Sequence, residues 1–343
     1  MAVDMGPTEA VEHEWQIAAN FETEGTVMSI WGNLNNQSWS NSQVWSVGGQ
    51  PDEGRIWVRN SEQESADLDL SSVGEWQEVE VPDGPLLNWV HGSQGHLWVV
   101  GNDGRALRWV DAQVGGRGEW ETFDTDTDQD LWGVYVVSPN EVWAVGGDPL
   151  SIEDPDPVIT RFDGMLWQRV TVPELDRTGV RALFKVYADE QTGHVFAVGM
   201  KGVILGDIGQ GWIQLPVISN NDNPPSVEDF VSLWGTGDQL IAVGGRSNGV
   251  IARWNGQEWR SEMLTGIPGL NGVWVDHSSK ATAVGTRGSA MVLLPGSFEV
   301  NRERTGTPLV LHATWGTAGA VWAVGGSLDG SPPWEGIILF SRH

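Results

Sequence analysis

Four aspartates alternate with polar residues in one short run, and alternating carboxylates suit a hard cation such as Ca²⁺. The candidate ligands are Asp124, Asp126, Asp128 and Asp130. The run departs from the calcium-binding loop of EF-hand proteins, because its sixth position is Gln129 rather than glycine and its twelfth is Tyr135 rather than glutamate. We therefore interpret the run as an acidic, solvated loop, and we predict neither a bound metal nor another cofactor.

Basic residues are scarce, with 19 Lys and Arg against 46 Asp and Glu. Three of them, Lys201, Arg246 and Arg287, occupy loops after three successive copies of a repeat described below. Because a guanidinium group presents a planar set of donors, these residues are candidates for a positive arc that receives a carboxylate or an acidic peptide. The alternative is that they are ordinary charges of solvated loops.

Further candidates for ligand binding lie in the same loops or close to them. They are Asp103, Asp148, Trp132, Trp334 and His312. The histidines lack the spacing of metal ligands, and of the seven only His312 is expected near a central channel. Thiolate chemistry is excluded because the chain has no cysteine. No G-x-S-x-G nucleophile motif or phosphate-binding loop is present, so no catalytic residue can be named.

A repeat positions these candidates. A short strand ending in Val-Gly occurs seven times, with its glycine at Gly48, Gly101, Gly146, Gly199, Gly244, Gly285 and Gly325. We expect this glycine to allow a tight turn. An apolar segment precedes each copy and is predicted to be an innermost strand buried on both faces. A third strand follows, then a fourth that opens with an aromatic residue. Four-stranded antiparallel units in this number predict a closed β-propeller.

The last copy of the repeat stops after its third strand. The segment Glu14 to Ala19 has the aromatic opening of a fourth strand, and we predict that it pairs with the last blade and removes an exposed sheet edge. The predicted fold is all-β: a seven-bladed propeller forming one domain over residues 1–343. Its blades are predicted at about 27–82, 86–124, 131–173, 183–217, 230–264, 270–304, and 311–343 together with 14–20.

Tryptophan is abundant, with 21 residues. Most fall at repeat positions and are predicted to fill the space between blades. The repeat does not require Trp39, Trp89, Trp132 and Trp334. Of these, Trp132 and Trp334 are predicted to border the face that carries the loops between second and third strands, where propellers usually bind ligands.

The formal charge of −27 opposes binding to nucleic acid or to an anionic membrane. No run of eighteen apolar residues occurs, so we predict no membrane insertion, and we expect a monomer. The first twenty residues lack a signal-peptide pattern. A periplasmic or extracellular location is expected if a signal peptide has been removed, and a cytoplasmic one otherwise. The shortage of lysine is typical of a bacterial chain from a high-GC genome.

The sequence Val-Trp-Ala-Val-Gly-Gly at 142–147 and 321–326 resembles the kelch repeat. It is also similar to the Trp-rich propeller repeats of bacterial secreted and lipid-anchored proteins and, more distantly, to photosystem-assembly propellers of the Ycf48 type. The double glycine occurs only in blades 1, 3, 5 and 7. The resemblance implies a propeller that binds proteins. It does not extend to galactose oxidase, whose copper site needs a Tyr-Cys crosslink, because this chain has no cysteine.

Three functions remain open at this stage. The first is a non-enzymatic module that binds a protein or peptide through the face at the channel mouth. The second is a carbohydrate-binding propeller, which predicts the same pocket in every blade. The third is an isomerase or lyase acting on a small molecule at the mouth, which predicts one asymmetric cluster of acids and bases. The first is favoured because catalytic motifs are absent and the loops differ between blades.

Overall fold

The computed structural model describes residues 14–33, 43–60, 75–110, 118–153, 155–220, 227–236, 239–276, 278–317 and 319–342. The strands in these ranges are β1 (Gln16–Phe21), β2 (Thr26–Asn33), β3 (Gln43–Gln50), β4 (Glu53–Asn60), β5 (Gln77–Val79), β6 (Leu87–Ser93), β7 (His96–Gly101), β8 (Ala106–Val110), β9 (Glu119–Phe123), β10 (Leu131–Ser138), β11 (Glu141–Gly146), β12 (Val158–Phe162), β13 (Trp167–Arg169), β14 (Leu183–Ala188), β15 (Val195–Gly199), β16 (Ile204–Asp207), β17 (Trp212–Gln214), β18 (Val217–Ser219), β19 (Phe230–Thr236), β20 (Gln239–Gly244), β21 (Gly249–Trp254), β22 (Trp259–Leu264), β23 (Leu270–Val275), β24 (Ala281–Gly285), β25 (Ser289–Leu293), β26 (Val300–Arg304), β27 (Val310–Thr317), β28 (Ala320–Gly326) and β29 (Gly336–Arg342). Two short 3₁₀ turns occupy Met200–Gly202 and Thr286–Gly288.

The strands form seven sheets, in each of which four antiparallel strands run from the innermost to the outermost strand of a blade. Blades 1 to 7 are β2–β5, β6–β9, β10–β13, β14–β17, β19–β22, β23–β26, and β27–β29 with β1. The seven-bladed propeller predicted from the repeat is confirmed. In the described ranges no helix is long and apolar enough to cross a bilayer.

The N-terminal strand closes the ring, as predicted. Strand β1 pairs antiparallel with β29, from Gln16 opposite Phe340 to Phe21 opposite Gly336, with a bulge between Ile17 and Ala19. It is therefore the outermost strand of blade 7 and covers a sheet edge that would otherwise be open.

The glycine that ends each second strand is required because the backbone of the innermost strand passes very close to it. The tight turn expected from the sequence is not the reason. A Cβ on Gly146 would lie 2.0 Å from the carbonyl oxygen of Asp130, the residue before the innermost strand of the same blade. At the equivalent Gly244, the distance to the carbonyl oxygen of Asp229 would be 1.9 Å. Neither glycine has a positive φ. Any side chain here would separate the two central strands, which explains why the glycine recurs.

Tryptophans join neighbouring blades in a repeated edge-to-face arrangement. The aromatic residue that opens a fourth strand packs against the second-strand aromatic residue of the preceding blade, at centroid distances of 5.9 Å for Trp120 on Trp45 and 5.2 Å for Trp167 on Trp98. Interplanar angles of 89° and 84° are typical of favourable aromatic pairs. These tryptophans pack blades together, as the repeat predicted.

Blade 5 has an additional strand that the sequence did not reveal. Strand β18, from the connection between blades 4 and 5, pairs in parallel with the outer strand β22. The Asn220 backbone continues the contact by donating to the Ser261 carbonyl at 2.8 Å. The first half of this connection is therefore part of a sheet, whereas residues 221–226 lie outside the described ranges.

Candidate functional site

Every innermost strand contains a β-bulge at the same place, immediately after its first inward apolar residue. The register shifts between Leu131 and Gly133 in blade 3, and equivalent shifts occur in the other six blades. The bulged residues are Met28, Asn88, Trp132, Phe184, Val231, Asn271 and His312. All except Asn88 are partly exposed. Because the innermost strands surround the propeller axis, these residues form a ring at one end of the central channel. We call this set the mouth ring.

Three residues after each bulge, every innermost strand carries an aromatic ring: Trp31, His91, Tyr135, Tyr187, Trp234, Trp274 and Trp315. The imidazole of His91 in blade 2 lies 5.8 Å from the Trp234 ring of blade 5 and stacks on Tyr135 at 4.2 Å. Burial lowers the pKa of His91 to about 3, and its Nδ1 accepts the Val136 N–H at 3.0 Å. Since rings from distant blades meet, this uncharged layer fills the channel away from the mouth.

Lys185 lies in the channel between the mouth ring and the aromatic layer. Its Nζ donates to the carbonyl oxygens of Trp132 at 2.8 Å and Phe184 at 3.0 Å. The same nitrogen is 4.0 Å from the ring centroid of Trp89, a cation–π distance. The residue is only 8% exposed, and desolvation lowers its pKa to about 7. Its ammonium group therefore connects the inner strands of blades 2, 3 and 4.

His312 of the mouth ring lies close enough to Lys185 for the lysine charge to affect its pKa. Burial lowers its pKa to about 4; a backbone hydrogen bond with Gly326 opposes the shift, and the positive charge of Lys185 adds to it. Its Nε2 is buried and has no hydrogen-bond partner among the described residues. The sequence placed His312 near the channel, but it did not single out Lys185. A usable signal was present, because Lys185 is a charged residue within a segment predicted to be buried on both faces.

The loops between second and third strands lie on the mouth side and alternate between two types. In blades 1, 3, 5 and 7 a second glycine, with positive φ, follows the glycine of the Val-Gly pair, at Gly49, Gly147, Gly245 and Gly326. In blades 2, 4 and 6 the equivalent turns contain Asp103, Lys201 and Arg287, each with φ between 55° and 58° and each followed by a glycine. Three of the candidate residues thus occupy one repeated position. Their side chains differ in charge from blade to blade.

The predicted positive arc is partly neutralised. The Arg246 guanidinium forms an ion pair with Asp229 at 3.2 Å, while Asp229 also accepts the Lys201 backbone N–H at 2.8 Å. The Lys201 ammonium donates to the Thr178 carbonyl. Arg287 is exposed. These residues lie on one face, but the Asp229 carboxylate pairs with Arg246 and binds the Lys201 backbone, so the region contains charges of both signs.

The acidic candidates cluster beside blades 2 and 3. Burial raises the pKa of Asp130, and the nearby Asp103 and Asp148 carboxylates add to the rise, although the Asp103 N–H donates to Asp130 at 3.1 Å and opposes it. Two of the other three carboxylates of this run accept backbone N–H groups: Asp124 from Asp126, and Asp126 from Arg169. Within the part of the chain that the structure describes, no three His, Asp or Glu side chains are arranged to hold a metal ion.

The two tryptophan candidates lie at the rim of the mouth. Trp132 belongs to the mouth ring, and its Nε1 donates to the Gly147 carbonyl at 2.9 Å, which ties the ring to the β11–β12 loop. Trp334, in the β28–β29 loop, is half-buried, and its backbone is bound by the Gln50 side chain. Trp39 lies outside the described residues, whereas Trp89 contacts Lys185 within the channel.

Exposed apolar side chains on the mouth face were missed at the sequence level. Leu150 is 88% exposed and Ile152 is 98% exposed, both in the β11–β12 loop that begins at Gly147. Smaller exposures occur at Leu328 in the β28–β29 loop. The signal was two large aliphatic residues within an otherwise acidic, proline-rich loop.

Comparison with known proteins finds similar structures but no similar sequences. No family model and no curated protein matches the sequence. Three similar solved structures cover nearly the whole chain. YCF48 from Cyanidioschyzon merolae has a TM-score of 0.62 at 13% identity, covering 96% of this chain and 99% of its own. YCF48 bound to D1 peptide has a TM-score of 0.62 at 14% identity, covering 98% of each chain.

The likeness is one of fold. The WD40 β-propeller domain of Doa1 has a TM-score of 0.60 at 11% identity, covering 95% of this chain and 96% of its own. Identities this low leave the kelch-like assignment of the repeat without support from the comparisons. The chain is a seven-bladed propeller whose neighbours include YCF48 and WD40 propellers.

Proposed function

We propose that this propeller is a recognition module that binds a protein or peptide through its mouth face. The observation that carries the proposal is the nearly complete exposure of Leu150 and Ile152 in one loop of that face. Large aliphatic side chains exposed together are unfavourable in water and mark surfaces that a partner covers. The loop is anchored at its base by the bond from Trp132 to Gly147.

The repeated turn position favours a protein partner over a repeated sugar site. Asp103, Lys201 and Arg287 occupy equivalent positions in three blades but differ in charge and reach. A lectin-like propeller would present the same pocket in each blade, whereas one extended partner can contact different chemistry around the face. YCF48, a structural neighbour, has been solved bound to D1 peptide, which supports the same general use of the fold.

The proposal includes a relationship between this repeat and the kelch repeat. It is supported by the sequence Val-Trp-Ala-Val-Gly-Gly, at 142–147 and again at 321–326.

The test is selection of peptides from a displayed random library on the immobilised protein, followed by calorimetry with a selected peptide. The double variant Leu150→Ser/Ile152→Ser should weaken binding by tenfold or more, because hydrophobic contacts of interface residues typically contribute about 1–2 kcal/mol each. The matched control is Met165→Ser/Leu166→Ser, whose side chains are 84% and 46% exposed in the turn between β12 and β13 on the opposite face. Equal loss in both variants would contradict the proposal.

A further inference from the structure

Lys185 lies in the channel and has no carboxylate partner among the residues that the structure describes. Its ammonium group contacts two neutral carbonyls and the Trp89 ring, although the chain contains 46 Asp and Glu. A buried charge without an opposite charge is costly, so it either loses its proton or is matched by an ion of opposite sign. Two of the three ammonium donors are used by carbonyls, which leaves one N–H for a ligand.

The neighbouring imidazole is incompletely bonded as well. His312 has its backbone hydrogen bond with Gly326, while its other nitrogen, Nε2, is buried and finds no partner in the part of the chain that the structure describes. The hydrogen bond with Gly326 raises the pKa of His312, so the ring nitrogen in that bond donates its N–H to the Gly326 carbonyl. In the neutral ring the other nitrogen, Nε2, then carries no proton and is an acceptor. A ligand that brings a proton to Nε2 would satisfy it.

We propose that the channel beneath the mouth ring binds a carboxylate, with one oxygen accepting from the Lys185 ammonium and the other from a protonated His312 Nε2. Two cationic donors near enough to interact electrostatically can bind the two oxygens of one carboxylate. Access is from the mouth ring, most of whose side chains are partly exposed, because the aromatic layer fills the channel on the far side. The site lies deeper than the exposed loops and does not depend on the proposed protein partner.

Within the described ranges, the strands packed against the His312 strand contain no acid that could compete for its ring. The strands packed against β27 are β28 in its own blade, β2 in blade 1, and β23 and β24 in blade 6, and these four contain no Asp, Glu, His, Lys or Arg. The adjacent 3₁₀ turn contributes Arg287, which is exposed and cationic. The charged groups around His312 are therefore basic, which favours an anion.

The experiment uses the full chain labelled with ¹³C at lysine Cε, and sodium acetate as the probe. The sequence has only three lysines, so Lys185→Met identifies the Lys185 resonance directly, and Lys201 and Lys280 are internal controls. Acetate should shift the Lys185 signal saturably and leave the other two in place, whereas neutral acetamide should shift none. Calorimetric binding of acetate should weaken on the order of tenfold in Lys185→Met, because a charge-assisted bond is lost.

Protonation gives a second readout. Binding should tighten by more than tenfold between pH 8 and pH 6, because Lys185, whose pKa is about 7, must keep its proton and the bound state also holds a proton on His312 that the free state lacks. His312→Gln should reduce that dependence. Equal shifts of all three lysines would overturn the proposal, and no shift in excess acetate would exclude a free small acid as the ligand.

A third arm identifies the source of the carboxylate. If a selected peptide shifts Lys185 and its Asp→Asn or Glu→Gln analogue does not, the carboxylate belongs to the partner; if acetate alone suffices, it is a free small acid. Failure of both sources rejects the site. The double variant Leu150→Ser/Ile152→Ser should still respond to acetate after losing peptide binding, so this site and the proposed function can fail separately.

Discussion

The side-chain amide of Gln50 forms two hydrogen bonds with the backbone of Trp334, which lies 284 residues further along the chain. Its Nε2 donates to the Trp334 carbonyl at 3.0 Å, and its Oε1 accepts the Trp334 N–H at 2.9 Å. Gln50 ends a strand of blade 1, and Trp334 precedes the third strand of blade 7. The two bonds therefore fix the rim of the mouth across the point where the ring closes.

Replacing Gln50 by Ala should lower the free energy of unfolding by about 1 kcal/mol, because both backbone groups can be rehydrated at this partly exposed site. Hydrogen exchange should accelerate at the Trp334 amide. Gln257→Ala, at an exposed turn of blade 5, is the control and should leave exchange at Trp334 unchanged. If the two Gln50–Trp334 hydrogen bonds do not stabilise the rim, the Trp334 amide will exchange at the same rate in both variants.

Deleting residues 1–20 should cause aggregation or a large drop in melting temperature. The deletion removes most of β1 and uncovers the edge of β29, and it also removes the hydrogen bond from Trp15 Nε1 to Glu303 of blade 6, which is 2.9 Å long. Thermal melts and light scattering measure the effect. A truncated chain that melts like the full chain would refute a stabilising role for the closure.

Trp322→Ala should cost about 3–5 kcal/mol, because Trp322 is fully buried and contacts Trp315 and Phe340. Trp334→Ala should cost less than about 1 kcal/mol, since its backbone remains bound to Gln50 and its ring lies in a loop. Denaturant unfolding compares the two. If Trp334→Ala were as destabilising as Trp322→Ala, Trp334 would belong to the core rather than to the binding face.

Lys185 should make stability depend on pH. Its folded-state pKa, about 7, lies below its ordinary value of 10.5, so between these values the unfolded chain binds more protons than the folded one. Stability from this group therefore rises as pH increases from about 7 to about 10.5 and is lowest below pH 7. Lys185→Met should flatten the difference in melting temperature between pH 7 and pH 9.5. Parallel profiles for the two proteins would show that Lys185 is not desolvated.

Chelation should leave the melting temperature unchanged. The carboxylates of Asp124, Asp126 and Asp130 accept backbone N–H groups within the fold, so they hold the loop without a cation. Excess EDTA, compared with added CaCl₂, tests this by thermal melting. A drop of several degrees with EDTA would show that this loop, or another part of the chain, binds a metal that stabilises the fold.

The architecture could be predicted because it follows from a local pattern. Each blade repeats the same apolar strand, Val-Gly ending and aromatic opening within one stretch of sequence, and the missing fourth strand of the last repeat matched the surplus segment at the N-terminus. The parallel strand β18 was not predictable, because Val217–Ser219 is short and differs from the repeat. Its place depends on the outer edge of blade 5.

The channel site could be predicted only in part. His312 was assigned to the channel from its strand, but the surroundings of Lys185 come from Trp89, Trp132 and Phe184 on three separate strands. Ring closure brings these strands together, and no spacing along the chain encodes it. The same holds for Arg246, whose pairing with Asp229 depends on two loops that meet in space.

The alternation of the two loop types has a geometric consequence. A strictly alternating series can close without a fault only when the number of units is even, and seven is odd. Blades 7 and 1 are therefore neighbours of the same type, with Gly326 and Gly49 on either side of the junction. This junction breaks the approximate rotational symmetry of the face and gives it a single reference direction. A partner that reads several blades in order can then dock in only one orientation.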